Sequence, residues 1–180
     1  MPRYVAFLRS INVGRRRVVM AELKRHFEAL GFTAVSTFIA SGNVIFTAPT
    51  KVAARLERQI ETGLAQALGF PVETFVRTVD EVAAIAGSRP FRGETPAGGA
   101  VYVTLLKAPL PVATARALTA IRTATDEFCV RGREYYWLCR IRSSDSKIWA
   151  SPEIKALKLA VGTARNMTSV RKLATTLGIA

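Results

Sequence analysis

Apolar residues open the chain on both sides of an extended run. Tyr4, Ala6 and Leu8 alternate with Val5 and Phe7, which predicts a strand over 4–9 covered on both faces. The period then lengthens. Val19, Leu23, Phe27 and Leu30 share one helical stripe, which predicts a helix over 18–30, stopped by Gly31. Residues 33–39 and 44–47 read as strands on either side of a tight Ser41-Gly42-Asn43 turn. Val52, Leu56, Ile60, Leu64 and Leu68 recur every four residues and predict a helix over 51–68, ended by Gly69. A strand over 72–77 and a short helix over 80–86 complete this part.

The stretch 89–99, rich in Gly and Pro, breaks the periodicity and reads as a linker. The element order then recurs. A strand is expected over 100–106 and a helix over 112–122. A hairpin follows, with strands 126–131 and 134–141 around Gly132-Arg133. Ser143 to Lys147 reads as a capping turn. A short helix over 152–158 starts at Ser151-Pro152, an N-cap with Pro in the first turn. The chain closes with a strand over 160–165 and a helix over 168–177, capped by Thr168. The halves share an order of elements and no obvious residue pattern.

An order β-α-β-β-α-β with short connections has one common solution, the ferredoxin-like sandwich with right-handed crossovers. The expectation is an α+β protein of two ferredoxin-like halves, residues 1–88 and 100–180, each with an extra helix. In that topology the third strand lies antiparallel between the first and second. The loop after strand one (10–17) and the turn at 40–43 then meet at one end of the sheet. The loop from Lys107 to Pro111 should likewise meet the turn from Arg131 to Glu134.

Composition narrows the function classes. The chain has 180 residues, 49% of them apolar, enough for a packed core. No apolar run approaches the roughly 20 residues of a membrane span. The first nine residues lack the apolar length of a secretory signal, so a soluble cytoplasmic protein is expected. Twenty-six basic residues against 13 acidic give a formal charge of +13. That surplus either attracts polyanions or reflects base composition, since 19 of the 26 are Arg and 7 Lys. In the proposed hairpin register, Cys129 faces Tyr136 and Cys139 points to the other sheet face, so no disulfide is expected.

Several groups could carry chemistry. Arg9, Asn12, Gly14, Arg15, Arg16 and Arg17 occupy a strand-to-helix loop, where backbone N–H groups and arginines attract anions. Equally, Asn12 caps or turns the loop and the arginines are solvated. Ser41, Gly42 and Asn43 either form a plain turn or add a hydroxyl and an amide to that site. Arg165 and Asn166 precede the last helix, where Arg165 is an anion clamp or holds a carboxylate. Arg131, Arg133, Tyr135, Trp137 and Arg140 interleave cations with aromatics, a pattern that suits single-stranded nucleic acid. The competing reading puts at least one aromatic set in the core. His26 borders a buried stripe with no visible acid–base partner. Asp126 and Glu127 should project to opposite faces. No metal cluster and no cofactor is expected, and neither Walker nor dinucleotide pattern is present.

Three readings stay open, the third a scaffold that pairs with protein partners through an apolar exposed patch. The chain is a non-catalytic module for an anionic partner such as RNA or DNA. Alternatively, it is an enzyme or a binder of a small phosphate- or nucleotide-like anion, using Asn12, Ser41, Asn43 and Arg165.

The motifs also resemble a known family. Phe7-Leu8-Arg9-Ser10-Ile11-Asn12-Val13-Gly14, Met20-Ala21-Glu22-Leu23, Leu30-Gly31-Phe32, the run from Thr37 to Phe46 and the tail Gly162-Thr163-Ala164-Arg165-Asn166 resemble the bacterial domain of unknown function 1697 family. The resemblance implies two ferredoxin-like halves and implies no activity. Ser10, Arg15, Ala40 and Met167 stand where that family's pattern has Gly, Gly, Gln and Trp.

Overall fold

A computed structural model describes residues 1–14, 16–39, 42–93 and 95–179. The chain divides into two compact units. One comprises Met1–Ile85 with Leu173–Ala180, the other Ala86–Lys172. The architecture is α+β, with a four-stranded antiparallel sheet in each unit and six α-helices among the described residues.

The first unit runs β1 (Arg3–Leu8), α1 (Met20–Ala29), β2 (Thr33–Phe38), β3 (Asn43–Thr47), α2 (Ala53–Leu68), β4 (Thr74–Thr78) and α3 (Val79–Gly87). Its strand order is β2-β3-β1-β4. Every residue from Tyr4 to Leu8 is buried, as the two-sided apolar run requires. Leu23 and Phe27 of α1 and Leu56, Ile60 and Leu64 of α2 pack on the Tyr4, Ala6, Leu8 and Phe46 face. Phe46 sits at the centre, its ring 5.7 Å from Tyr4, 5.6 Å from Phe27 and 4.7 Å from Phe32.

The helix boundaries move for local reasons. α1 starts at Met20, two residues later than the stripe implied, because the Val18 N–H is held by the Asn12 side chain. α2 starts at Ala53. Val52 is extended and more than half exposed, so it lies outside the buried stripe. β4 passes straight into α3 through a reciprocal cap: the Thr78 hydroxyl accepts from the Glu81 N–H, and the Glu81 carboxylate accepts from the Thr78 N–H.

β4 is an edge strand, and its outward amides are covered by carboxylates. The Thr74 N–H donates to Glu61 at 2.9 Å, Val76 to Glu57 at 2.9 Å and Thr78 to Glu81 at 2.8 Å. Glu57 and Glu61 are one turn apart on α2, beside the stripe that packs on the sheet. An edge so covered cannot template further strand pairing.

The second unit runs β5 (Ala100–Leu105), α4 (Val112–Ala120), β6 (Asp126–Arg131), β7 (Glu134–Cys139), a 3₁₀ turn (Ile148–Ala150), α5 (Pro152–Ala156), β8 (Thr163–Asn166) and the start of α6 (Met167–Leu177). Strand order is β6-β7-β5-β8. The hairpin register is as expected, with Arg131 opposite Glu134 and Cys129 opposite Tyr136. Both thiols are free. β8 begins three residues later than expected, since only Thr163 to Asn166 align with β5. Gly162 lies just outside, where an added Cβ would be 2.6 Å from Thr104 Cγ2 and 2.8 Å from the Leu105 carbonyl. Asn166, not Thr168, caps α6: its Oδ1 accepts from the Thr168 N–H at 2.8 Å. No helix is long and apolar enough to cross a membrane among the described residues.

Candidate functional site

The two motif loops meet. At the end of β1, the Leu8 N–H donates to the Gly42 carbonyl at 2.8 Å. A Cβ on Gly42 would lie 2.9 Å from Ile11 Cγ2 and 3.2 Å from Leu8 Cβ, so the turn backbone rests on the loop side chains. The second unit repeats the arrangement: Leu106, just past β5, donates to the Arg133 carbonyl at 2.9 Å.

The loop after β1 holds itself closed. The Asn12 N–H donates to the Arg16 carbonyl at 2.8 Å, and the Arg16 N–H returns to Val13 at 3.2 Å. Asn12 Oδ1 accepts from Val18 at 2.8 Å. Ser10, Asn12 and Gly14 all have left-handed φ, at 57°, 58° and 60°. Asn tolerates that region through local hydrogen bonding. This loop does not deliver its N–H groups to a helix start, because Val18 and Val19 intervene before α1. The Arg16 guanidinium lies 5.1 Å from the Phe70 ring centroid, a cation–π contact. Arg17 is exposed. Arg9 pairs with Glu73 at 2.8 Å, both side chains nearly half exposed, a contact contributing about 0–1 kcal/mol. Asn43 is buried and its Nδ2 donates to the Phe38 carbonyl at 3.1 Å. Arg15 and Ser41, with Ala40, lie outside the described residues.

Arg165 and Asn166 belong to the second unit. Arg165 donates to the Thr163 hydroxyl at 2.8 Å and the Ala164 carbonyl at 2.9 Å. Burial pushes its guanidinium down to about 10, which still leaves it charged at neutral pH. Asn166 is occupied in capping α6.

The hairpin divides its cations from its rings. Tyr135 and Trp137 are 6% and 7% exposed, so neither ring offers a face on which a base could stack. Tyr136, on the opposite face, is buried as well. Trp137 stacks on Tyr102 with centroids 5.2 Å apart and meets Trp149 edge-on at 5.3 Å. Arg131 donates to the Ser88 hydroxyl at 2.9 Å, and Arg140 donates to Glu127 at 2.7 Å. Arg133 is half-buried at the turn.

Asp126 is the polar hub that the residue pattern did not single out. It is 3% exposed and accepts from Thr125 at 2.6 Å, Trp137 Nε1 at 2.8 Å, Ser146 at 2.8 Å and Thr123 at 3.2 Å. Burial works to raise its pKa. The hydrogen bonds from Thr125, Ser146, Trp137 and Thr123 outweigh it and hold the carboxyl below its ordinary value. Ser146 also accepts from the Ile148 N–H, so the polar run from Ser143 to Lys147 both turns the chain and ties it to β6. Glu127 projects the other way, to Arg140 and Arg122, and those hydrogen bonds lower its pKa. The one sequence signal for Asp126 was its place at a strand start opposite Cys139, on the face that carries Trp137.

His26 is half-buried, its Nε2 3.7 Å from Glu22 and without a hydrogen-bond partner. No group of three potential metal ligands occurs among the described residues.

No curated protein matches the chain. Among solved structures it is similar to a conserved bacterial protein from Streptococcus pneumoniae, at 24% identity over 99% of both chains with a TM-score of 0.75. That identity speaks to the fold alone. A family model described as protein of unknown function (DUF1697) matches residues 1–136, three quarters of the sequence. The chain therefore belongs to the DUF1697 family.

Proposed function

We propose that this protein is a non-catalytic cytoplasmic module that binds RNA or DNA through phosphate contacts at its basic surface. The observation that carries this reading is the charge balance, 26 basic residues against 13 acidic, five of the acids being held in local hydrogen bonds. Glu57, Glu61 and Glu81 are spent on β4 amides, Asp126 on its own hub, and Glu127 on Arg122 and Arg140. The formal surplus of +13 remains after every acid is counted, and exposed Arg17 beside exposed Arg16 places part of it at the paired loops. Because Tyr135 and Trp137 are buried, contact is to the backbone of the nucleic acid and not to its bases. Fluorescence anisotropy with single-stranded RNA and duplex DNA, in low salt, tests it. The R16A/R17A double variant should bind more weakly by about tenfold on both. Absence of binding by the unsubstituted protein overturns the proposal.

The alternative, an enzyme or small-anion binder at Asn12, Ser41, Asn43 and Arg165, is less well supported. Asn12 and Asn43 turn their amides to Val18 and Phe38 of their own chain segments. Each sequence half, residues 1–88 and 100–180 joined by 89–99, is read as a ferredoxin-like sandwich followed by a helix. The strand orders β2-β3-β1-β4 and β6-β7-β5-β8, all antiparallel, support that assignment.

A further inference from the structure

At the other end of the first sheet, a cavity of about 470 Å³ opens between the end of α1, the start of β2 and the first turns of α2. Leu30, Phe32, Pro49 and Leu56 give it apolar walls, and Thr50, Arg55 and Gln59 complete it. The volume falls within the roughly 300–1,000 Å³ of small-molecule sites, which pair apolar walls with a few placed polar groups. The walls are tied together: Gln59 Nε2 donates to the Leu30 carbonyl at 2.8 Å, and the Tyr4 hydroxyl donates to the Thr50 carbonyl at 2.8 Å. Arg55 is the one charged residue of the lining. It forms no ion pair and no side-chain hydrogen bond among the described residues.

We propose that this cavity binds a small monocarboxylate with an apolar body, its carboxylate on Arg55 and its body against Leu30, Phe32 and Pro49, over a floor closed by buried Leu56. One guanidinium balances one negative charge and matches the carboxylate fork. A phosphate dianion would need a second cation that the lining lacks. The site is independent of the nucleic-acid reading. It lies about 17 Å away from the paired loops, the length of β1.

The test uses octanoate and phenylacetate as probes, with octanamide and phenylacetamide as neutral counterparts, followed by amide chemical-shift mapping of the whole chain. Carboxylate addition should move the amides of Gly31, Thr50 and Gln59. The R55Q variant should weaken carboxylate binding about tenfold or more and leave the amide counterparts unchanged, and R55K should fall between. Arg55 is exposed, so these variants keep the fold, which the unperturbed remainder of the spectrum verifies. The proposal is overturned if neither carboxylate shifts the cavity amides up to about 10 mM. It is equally overturned if R55Q binds the carboxylates as the parent does, or if the neutral counterparts bind the parent equally well.

Discussion

Gly42 and Gly14 together test whether the two loops are neighbours. Both have left-handed backbone, with φ of 75° and 60°. Alanine at either position carries the left-handed penalty of about 1–2 kcal/mol. Only at Gly42 does the new Cβ also meet matter, 2.9 Å from Ile11 Cγ2 and 3.2 Å from Leu8 Cβ; at Gly14 nothing lies within 4 Å. Overpacking a filled site adds about 1–3 kcal/mol. G42A should therefore lose about 2–5 kcal/mol and G14A about 1–2. With a urea m-value of about 2 kcal/mol/M, the midpoints fall by about 1–2.5 M and 0.5–1 M. Far-UV circular dichroism is the suitable probe, because both tryptophans, Trp137 and Trp149, lie in the second unit. The I11A/G42A double variant should lose less than the sum of the two single losses, because truncating buried Ile11 relieves the contact with the new Cβ. Equal losses for G42A and G14A, or strictly additive losses in I11A/G42A, would refute the packing of the turn on the loop.

Three further outcomes follow from the polar geometry. Asp126 has a folded-state pKa below its unfolded value of about 3.9, so its stabilisation is complete above that value and is lost as pH falls through the folded pKa. D126N should flatten the acid limb of a stability–pH curve followed by tryptophan fluorescence, and an unchanged limb would remove Asp126 from the account. E57A leaves the Val76 N–H without its acceptor in a buried setting and should cost about 1–3 kcal/mol, while E57Q keeps an acceptor and should cost less. The same E57A variant should aggregate faster on light scattering, since it uncovers the β4 edge. G162A forces a Cβ to within 2.6 Å of Thr104 and should destabilise by about 1–3 kcal/mol, read from the tryptophan emission of the second unit.

Element order and the meeting of the loops were legible in the sequence because both follow from apolar period and short connections. The stripe Leu23–Phe27 and the alternation through β1 leave little freedom in which faces pack. What was not legible depends on where single polar side chains reach. Asn12 caps no helix; it latches its own loop to Val18, and this delays α1. Glu57 and Glu61 carry no signal of their own in the sequence, yet they border the buried stripe and so reach the β4 amides. Thr78-Val79-Asp80-Glu81 carried a capping-box signature that was readable and would have placed the start of α3 correctly. For the aromatic hairpin, alternation gave the two faces but not their surroundings. Tyr135 and Trp137 are covered because Leu118, Ile148 and Ile154 close over that side of the second sheet.

Nucleic-acid binding by this protein requires that its outward-facing arginines act on phosphates. The most direct measurement is the affinity for a short single-stranded RNA across a salt titration. Contact with three or four phosphates predicts a log–log slope of about −2 to −3, unaltered by base sequence. Affinity that ignores salt, or that tracks sequence at constant salt, would contradict it.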